Sequence, residues 1–263
     1  MFGPLPLVAW VAQLACVMPL LGGCNAEPPV PTDVAAIESV GILAGPARQA
    51  EGLATLQRWS RMGSATASRE LALAYRQYPD RLDYTARVND TFTLAAEQGD
   101  AVAAFMLGEA AHRASLSTTN PADRAAPDVT SNFKAAWHWY EQAARLNHAE
   151  AALMLGRMAA NGEGRVADAR ESAQWLFKAA RLGSAQAMFL LFTQHTQPGA
   201  QEAQWAIARH LLVEAAHKHY PPAMHALGLA LQGGQYGFQR DDQQAAWMMK
   251  EASEESRNRW NAR

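Results

Sequence analysis

The chain has 263 residues, 49% of them apolar and 18% charged, with 23 Lys and Arg against 25 Asp and Glu. The apolar share excludes a disordered chain, and the charge balance, with no basic block, excludes the electrostatic footprint of a nucleic-acid-binding protein. Runs of β-branched residues and strict alternation are scarce. Apolar residues instead recur at i, i+3, i+4 and i+7 between Gly, Pro and Asn breaks, which predicts an all-α chain.

Residues 1–24, MFGPLPLVAWVAQLACVMPLLGGC, carry no charged side chain. An apolar span of ~17 residues from Leu5 to Leu21 is short for a membrane-crossing helix and suits a secretory leader. Its end, Leu21-Gly22-Gly23-Cys24, resembles the lipobox of bacterial lipoproteins, although the stretch before the apolar core lacks the usual Lys or Arg. The resemblance implies residues 1–23 as a lipoprotein signal peptide, cleavage before Cys24, lipid attachment (palmitate among the acyl chains) at that thiol, and sorting to the outer membrane through Asn25. An uncleaved N-terminal membrane anchor and a cytoplasmic protein are the other readings. Cys16 would leave with the leader, so no thiol remains for a disulfide, a zinc site or a nucleophile. Residues 24–33 follow as a Pro-rich tether.

Residues 34–62 predict a helix, a Gly45-Pro46 break and a second helix, together an N-terminal cap. From 63 to 258 the chain repeats itself. Leu71 and Leu107 are 36 apart, as are Leu155, Leu191 and Leu227; one insertion of 12, within the polar stretch 115–131, separates Leu107 from Leu155. Four residues before each leucine stands an alanine: Ala67, Ala103, Ala151, Ala187 and Ala223. The residue after it is mostly small: Ala72, Gly108, Gly156, Phe192 and Gly228. Turns precede each unit at Gly63, Gly99, Asn147, Gly183 and His219, and before the last four of these stand Ala95-Ala96, Ala143-Ala144, Ala179-Ala180 and Ala215-Ala216. About five helix pairs follow, an A helix with the Ala-x3-Leu pattern and a B helix ending in the small pair. A pair cannot bury its apolar face alone, so the pairs must stack. Residues 259–263 are left as a C-terminal tail.

The elements Leu155-Gly156, Gly162, Gly164, Asp168, Trp175, Ala179-Ala180 and Gly183 within residues 154–187 resemble the SEL-one-like repeat (SLR) family, a relative of the tetratricopeptide repeats. That resemblance implies a right-handed α-solenoid of stacked antiparallel helix pairs. It covers residues 46–258. The unit around Leu191 departs from it, with no Gly after the leucine and no Gly-x-Gly loop.

The repeat sorts the residues that look like chemistry. Trp139 and Tyr140 share a stripe with Ala136 and Ala143 and read as core, whereas His138 and Arg145 read as solvated surface. His210, Glu214 and His217 have metal-ligand spacing on one helix, but the row is polar in every unit, so no metal site is expected. There is no Gly-x-Ser-x-Gly, phosphate loop or His-Glu-x-x-His, hence no catalytic residue, cofactor or small-molecule substrate. Trp137 has no aromatic counterpart in the other units and is expected either to pack under the insertion or to meet a partner on that side. By likeness to tetratricopeptide relatives, residues two before and two after the repeat leucine should line the concave surface: Phe105 and Glu109, Leu153 and Arg157, Phe189 and Thr193, His225 and Leu229, with His112 one turn on. They vary where the frame does not, as a protein or peptide groove requires.

These features describe a lipid-anchored periplasmic interaction scaffold, or assembly adaptor for an envelope complex such as a secretion or polysaccharide export machine, on the outer membrane. An envelope enzyme acting on cell wall and a pilotin-like chaperone for an outer-membrane pore are the alternatives.

Overall fold

The computed structural model describes residues 29–43, 49–77, 82–116, 127–197, 199 and 202–261. The leader with Cys16 and Cys24, and the Gly45-Pro46 break, lie outside these residues. Residues 31–263 form one compact unit, and all regular structure in the described residues is helical. Helices α1 (Val34–Leu43) and α2 (Gln49–Arg61) precede five pairs. These are α3 (Ala65–Arg76) with α4 (Leu82–Glu97), α5 (Ala101–Leu116) with α6 (Pro127–Arg145), α7 (Ala149–Asn161) with α8 (Ala169–Arg181), α9 (Ala185–His195) with α10 (Glu202–His217), and α11 (Pro221–Gly233) with α12 (Asp242–Asn261). Each helix packs on its sequence neighbours, and α1 reaches across to α3 as the cap. The stacking is that of an α-solenoid. Among the described residues no helix is long and apolar enough to cross a membrane.

The turn between units explains most of the repeat pattern. A helix end leaves carbonyls without partners, and the next helix start leaves N–H groups without partners. Two residues settle both. The first adopts a left-handed conformation in every unit, with φ of 90° at Gly63, 97° at Gly99, 64° at Asn147, 97° at Gly183 and 54° at His219. The paired hydrogen bonds of a Schellman motif then form. Gly99 N–H donates to Ala96 O at 3.0 Å and Asp100 N–H to Ala95 O at 2.9 Å. The same pair recurs on Ala143 and Ala144, on Ala179 and Ala180, and on Ala215 and Ala216. The small pairs of the repeat are thus the acceptors that close the turn.

The second turn residue also caps the following A helix. Side-chain atoms of Ser64, Asp100, His148 and Ser184 accept the N–H of Ala67, Ala103, Ala151 and Ala187 at 3.3, 2.7, 3.3 and 3.3 Å. Those donors are the repeat alanines, fully buried in each case. Tyr220 gives no such bond; Pro221 and Pro222 remove the first two donors, and Ala223 N–H donates to the backbone Tyr220 O at 3.0 Å instead.

Close approach accounts for the small residue after the leucine. A Cβ at Gly108 would stand 2.6 Å from the Tyr140 ring, at Gly156 2.8 Å from Leu176, and at Gly228 2.9 Å from Met249. Two boundaries differ from expectation. The ends of the 115–131 insertion are helical, because α5 continues through Leu116 and α6 starts at Pro127. At the C-terminus α12 continues to Asn261, past the expected end at 258, and Arg259 Nη2 donates to His219 O at 2.7 Å.

Of the five left-handed turn residues only His219 is neither Gly nor Asn, and its side chain is exposed. Replacing it by glycine removes the steric penalty of that conformation. His219→Gly is expected to raise stability by about 0.5–1 kcal/mol, read as a higher midpoint in urea unfolding.

Candidate functional site

The residues flanking each repeat leucine divide into two classes. Those two positions before it are occupied with the next unit at Arg69, Phe105 and Phe189, whereas His225 in the last unit is exposed. Arg69 Nη1 lies 3.2 Å from Asp100 Oδ2, with Nη2 held by Glu38 at 2.6 Å and Glu70 at 3.0 Å. Burial pushes the Glu70 carboxyl above its usual range, against the pull of Arg69. Phe105 stacks on His148 with centroids 4.5 Å apart, and Phe189 meets Tyr220 edge-on at 5.7 Å. Asp100, His148 and Tyr220 are all turn residues that open the next A helix. Leu153 is buried at 1% exposure, in register with these residues, so it does not line the surface as expected. The sequence carries a signal for this pairing, a constant offset of 31 residues between partners. It lengthens to 43 across the insertion, and only the fold gives it meaning.

The residues two positions after the leucine, Glu109, Arg157, Thr193 and Leu229, are all exposed. They line a file of clefts between successive A helices. One of 270 Å³ between α5 and α7 is bordered by Glu109, His112, Arg113, Tyr140, Arg157 and Glu163. The next, of 300 Å³ between α7 and α9, shares Arg157 and adds Gln186, Thr193 and Gln194. A third, more apolar and of 590 Å³, is lined by Phe189, Pro222, His225, Leu229, Ser253 and Ser256.

His112 is not free in its cleft. It is buried, with Nε2 2.7 Å from Glu163 Oε2. Burial pushes the Glu163 carboxyl up, but hydrogen bonds from His112 and Asn161 outweigh that and hold it below the usual carboxylate range.

Trp137 is also buried, at 3% exposure, and so is not an accessible partner contact. It lies under the Gly-x-Gly loop of the next unit. Nε1–H donates to Glu163 O at 2.7 Å, and the Arg165 guanidinium sits 3.5 Å from the ring centroid. Gly164 brings the loop close enough that a Cβ would stand 2.6 Å from Phe133 Cβ. Two repeats later Arg209, in register with Trp137, donates to Gly237 O at 2.8 Å in the corresponding loop. Ala173 holds the same place ahead of the one intervening unit, which lacks the loop. At both glycine loops the position supplies an N–H donor to a loop carbonyl, and at Trp137 the ring adds the contact with Arg165.

Tyr140 is fully buried as expected of core, whereas Trp139 is half-buried and its counterpart Trp247, in the last unit, is 54% exposed. His138, His210 and His217 are exposed and Glu214 is half-buried. Among the described residues no three His, Cys, Asp or Glu side chains converge to hold a metal ion.

Two substitutions test these assignments. Trp137→Phe removes the loop's donor and opens a small cavity, and should cost about 2–3 kcal/mol in urea unfolding. His148 caps α7 through Nδ1, which requires a neutral ring, and burial holds its pKa below the usual value. The unfolded chain therefore binds the proton more readily. Stability is fully present above about pH 6.5 and is lost as pH falls below it. His148→Asn keeps a capping oxygen without the titration, so thermal melts from pH 7.5 to 5 should show a smaller decline than in the parent.

Residues 125–148, 149–184 and 221–256 match the family model of the Sel1 repeat. The stretch left between them, 185–220, is the unit with Phe192 in place of the glycine. No curated protein matches the chain significantly. A Sel1 repeat protein from Oxalobacter formigenes has a TM-score of 0.62 at 19% identity, over 84% of this chain and 88% of that one. A protective antigen present in uropathogenic Escherichia coli strains, which displays an SLR fold, has a TM-score of 0.61 at 23% identity, over 84% of this chain and 46% of its own. The chain thus spans less than half of that antigen, and identities at this level speak for fold alone. Taken with the stacked pairs and their fused caps, these matches make the protein an SLR-fold solenoid, three of whose segments match the Sel1 repeat.

Proposed function

We propose that the protein is an interaction scaffold whose clefts along the A helices hold a protein or peptide partner. The observation that carries this reading is the contrast between frame and lining. The turn residues, the alanines and the close-approach glycines recur from unit to unit, while the exposed cleft positions run Glu109, Arg157, Thr193, Leu229. A fixed frame with a variable lining suits recognition of one extended partner across several units. The grooves are open and shallow, with polar and apolar stretches in succession, which fits a polypeptide better than a small metabolite.

The setting belongs to the same proposal. The Leu21-Gly22-Gly23-Cys24 pattern supports export and lipid attachment at Cys24. The acyl chains would then hold the solenoid at a bilayer surface facing the periplasm, on the outer membrane if Asn25 acts as the sorting residue. A scaffold held there serves as an assembly adaptor for an envelope complex, such as a secretion or polysaccharide export machine.

Photocrosslinking residues placed at Arg157, Thr193 or Leu229 in the native host should each yield one discrete adduct with an envelope protein. The same residue at His138 or Arg145 should yield none; the reverse pattern would place the partner elsewhere. Cys24→Ala should abolish fatty-acid labelling and release the protein from the membrane fraction. Unchanged membrane association rejects the lipid anchor.

A further inference from the structure

The cleft between α5 and α7 is bordered by one buried polar group that no described residue satisfies. Tyr140 borders the cleft and is fully buried, and its hydroxyl has no hydrogen-bond partner. The repeat does not need that hydroxyl. In register with Tyr140 stand Leu176, Leu212 and Met248, each buried and each apolar. An apolar side chain thus completes the frame elsewhere, and a buried unpaired hydroxyl is costly to keep. Such a group calls for a partner that enters the cleft and displaces the side chains now covering the hydroxyl.

The other lining groups define what that partner is. Both Glu163 oxygens are already taken, by His112 at 2.7 Å and by Asn161 at 2.8 Å. Arg113 and Arg157 are exposed at the rim, and neither forms an ion pair among the described residues. The unspent groups are therefore two guanidinium forks and one phenol, with Glu109 and the Asn161 amide oxygen as acceptors. Burial raises the Tyr140 phenol well above its ordinary pKa, so it keeps its proton and donates at any physiological pH. Donors of this kind match a carboxylate, which two arginines can bind through parallel N–H contacts. A phosphate dianion is a poorer fit, because Glu109 and Glu163 repel the second charge. The volume of 270 Å³ is several times the ~30 Å³ share of one water, enough for a single side chain and too small for a folded element.

We infer that this cleft is a carboxylate subsite, which takes an Asp or Glu side chain of the partner segment between Arg113 and Arg157 and over the Tyr140 hydroxyl. The inference rests on the scaffold reading and names the partner's chemistry at one point of it. Tyr140 is then a specificity residue, core by its ring and ligand-binding by its oxygen.

The test uses the purified chain with N-acetylglutamate methylamide as probe, its glutamine counterpart as control, and NMR signals of labelled tyrosine as readout. The glutamate probe should bind with a millimolar Kd and shift the Tyr140 signals, and the glutamine probe should bind at least tenfold more weakly. Tyr140→Phe should weaken the glutamate probe about tenfold while the melting temperature stays level or rises. Arg157→Gln, a change at an exposed position, should weaken it similarly. Equal binding of both probes overturns the proposal. So does unchanged affinity in Tyr140→Phe, or a lowered melting temperature, which marks a hydroxyl serving the fold through a trapped water. Tighter binding of N-acetylalanine, with its terminal carboxylate, overturns the assignment to a side chain. If the probe fails while a crosslinker at Leu229 still captures its partner, only the carboxylate subsite falls. Loss of both removes the scaffold reading as well.

Discussion

Each junction between units has two residues in which to satisfy the carbonyls of one helix end and the N–H groups of the next helix start. The rest of the solenoid depends on how that constraint is met. A left-handed residue turns the chain so that two N–H groups fall back on the last small pair of the B helix. The following residue then offers its side chain to the third N–H of the A helix. Because the two turn hydrogen bonds form at all five junctions and the side-chain cap at four, each pair leaves its predecessor in a similar direction, and successive pairs stack rather than scatter. The small residues serve this geometry twice, by presenting carbonyls to the turn and by letting neighbouring helices approach.

Neighbouring units are also joined side chain to side chain, and here the chemistry changes while the job does not. At the N-terminal end a buried arginine binds the carboxylate that caps the next helix. In the next unit a phenylalanine stacks on a capping histidine, and further on a phenylalanine meets the tyrosine at the same turn position. The glycine loops give a second example. A tryptophan N–H and an arginine N–H pin corresponding loops two repeats apart. What each place requires is a contact of the right reach, and unrelated residues supply it. Such freedom lets repeat sequences drift while the fold persists.

That division leaves a limited surface for recognition. Residues before the repeat leucine are spent on the frame until the last unit, where His225 is exposed, and Glu109, Arg157, Thr193 and Leu229 after it face the clefts. The cleft between α5 and α7 is the most built of these. Among the described residues, a buried His–Glu pair and a phenol without a partner sit below two unpaired arginines, and the phenol's counterparts in the other units are apolar.

The all-α class, the 36-residue register, the turn positions and the buried alanines were legible in the sequence alone. They follow from local requirements, since a left-handed turn, a capped helix and an apolar stripe are each written in neighbouring residues. Tyr140 as core and His138 as surface came from the same periodicity. Tertiary structure alone decided that Leu153 is covered, that His112 is tied to Glu163, and that Trp137 lies beneath a loop of the next unit. Those facts depend on which residues of one unit meet those of the next, some 26 to 51 positions away. Periodicity within one helix shows which way a side chain points, but not what stands opposite it.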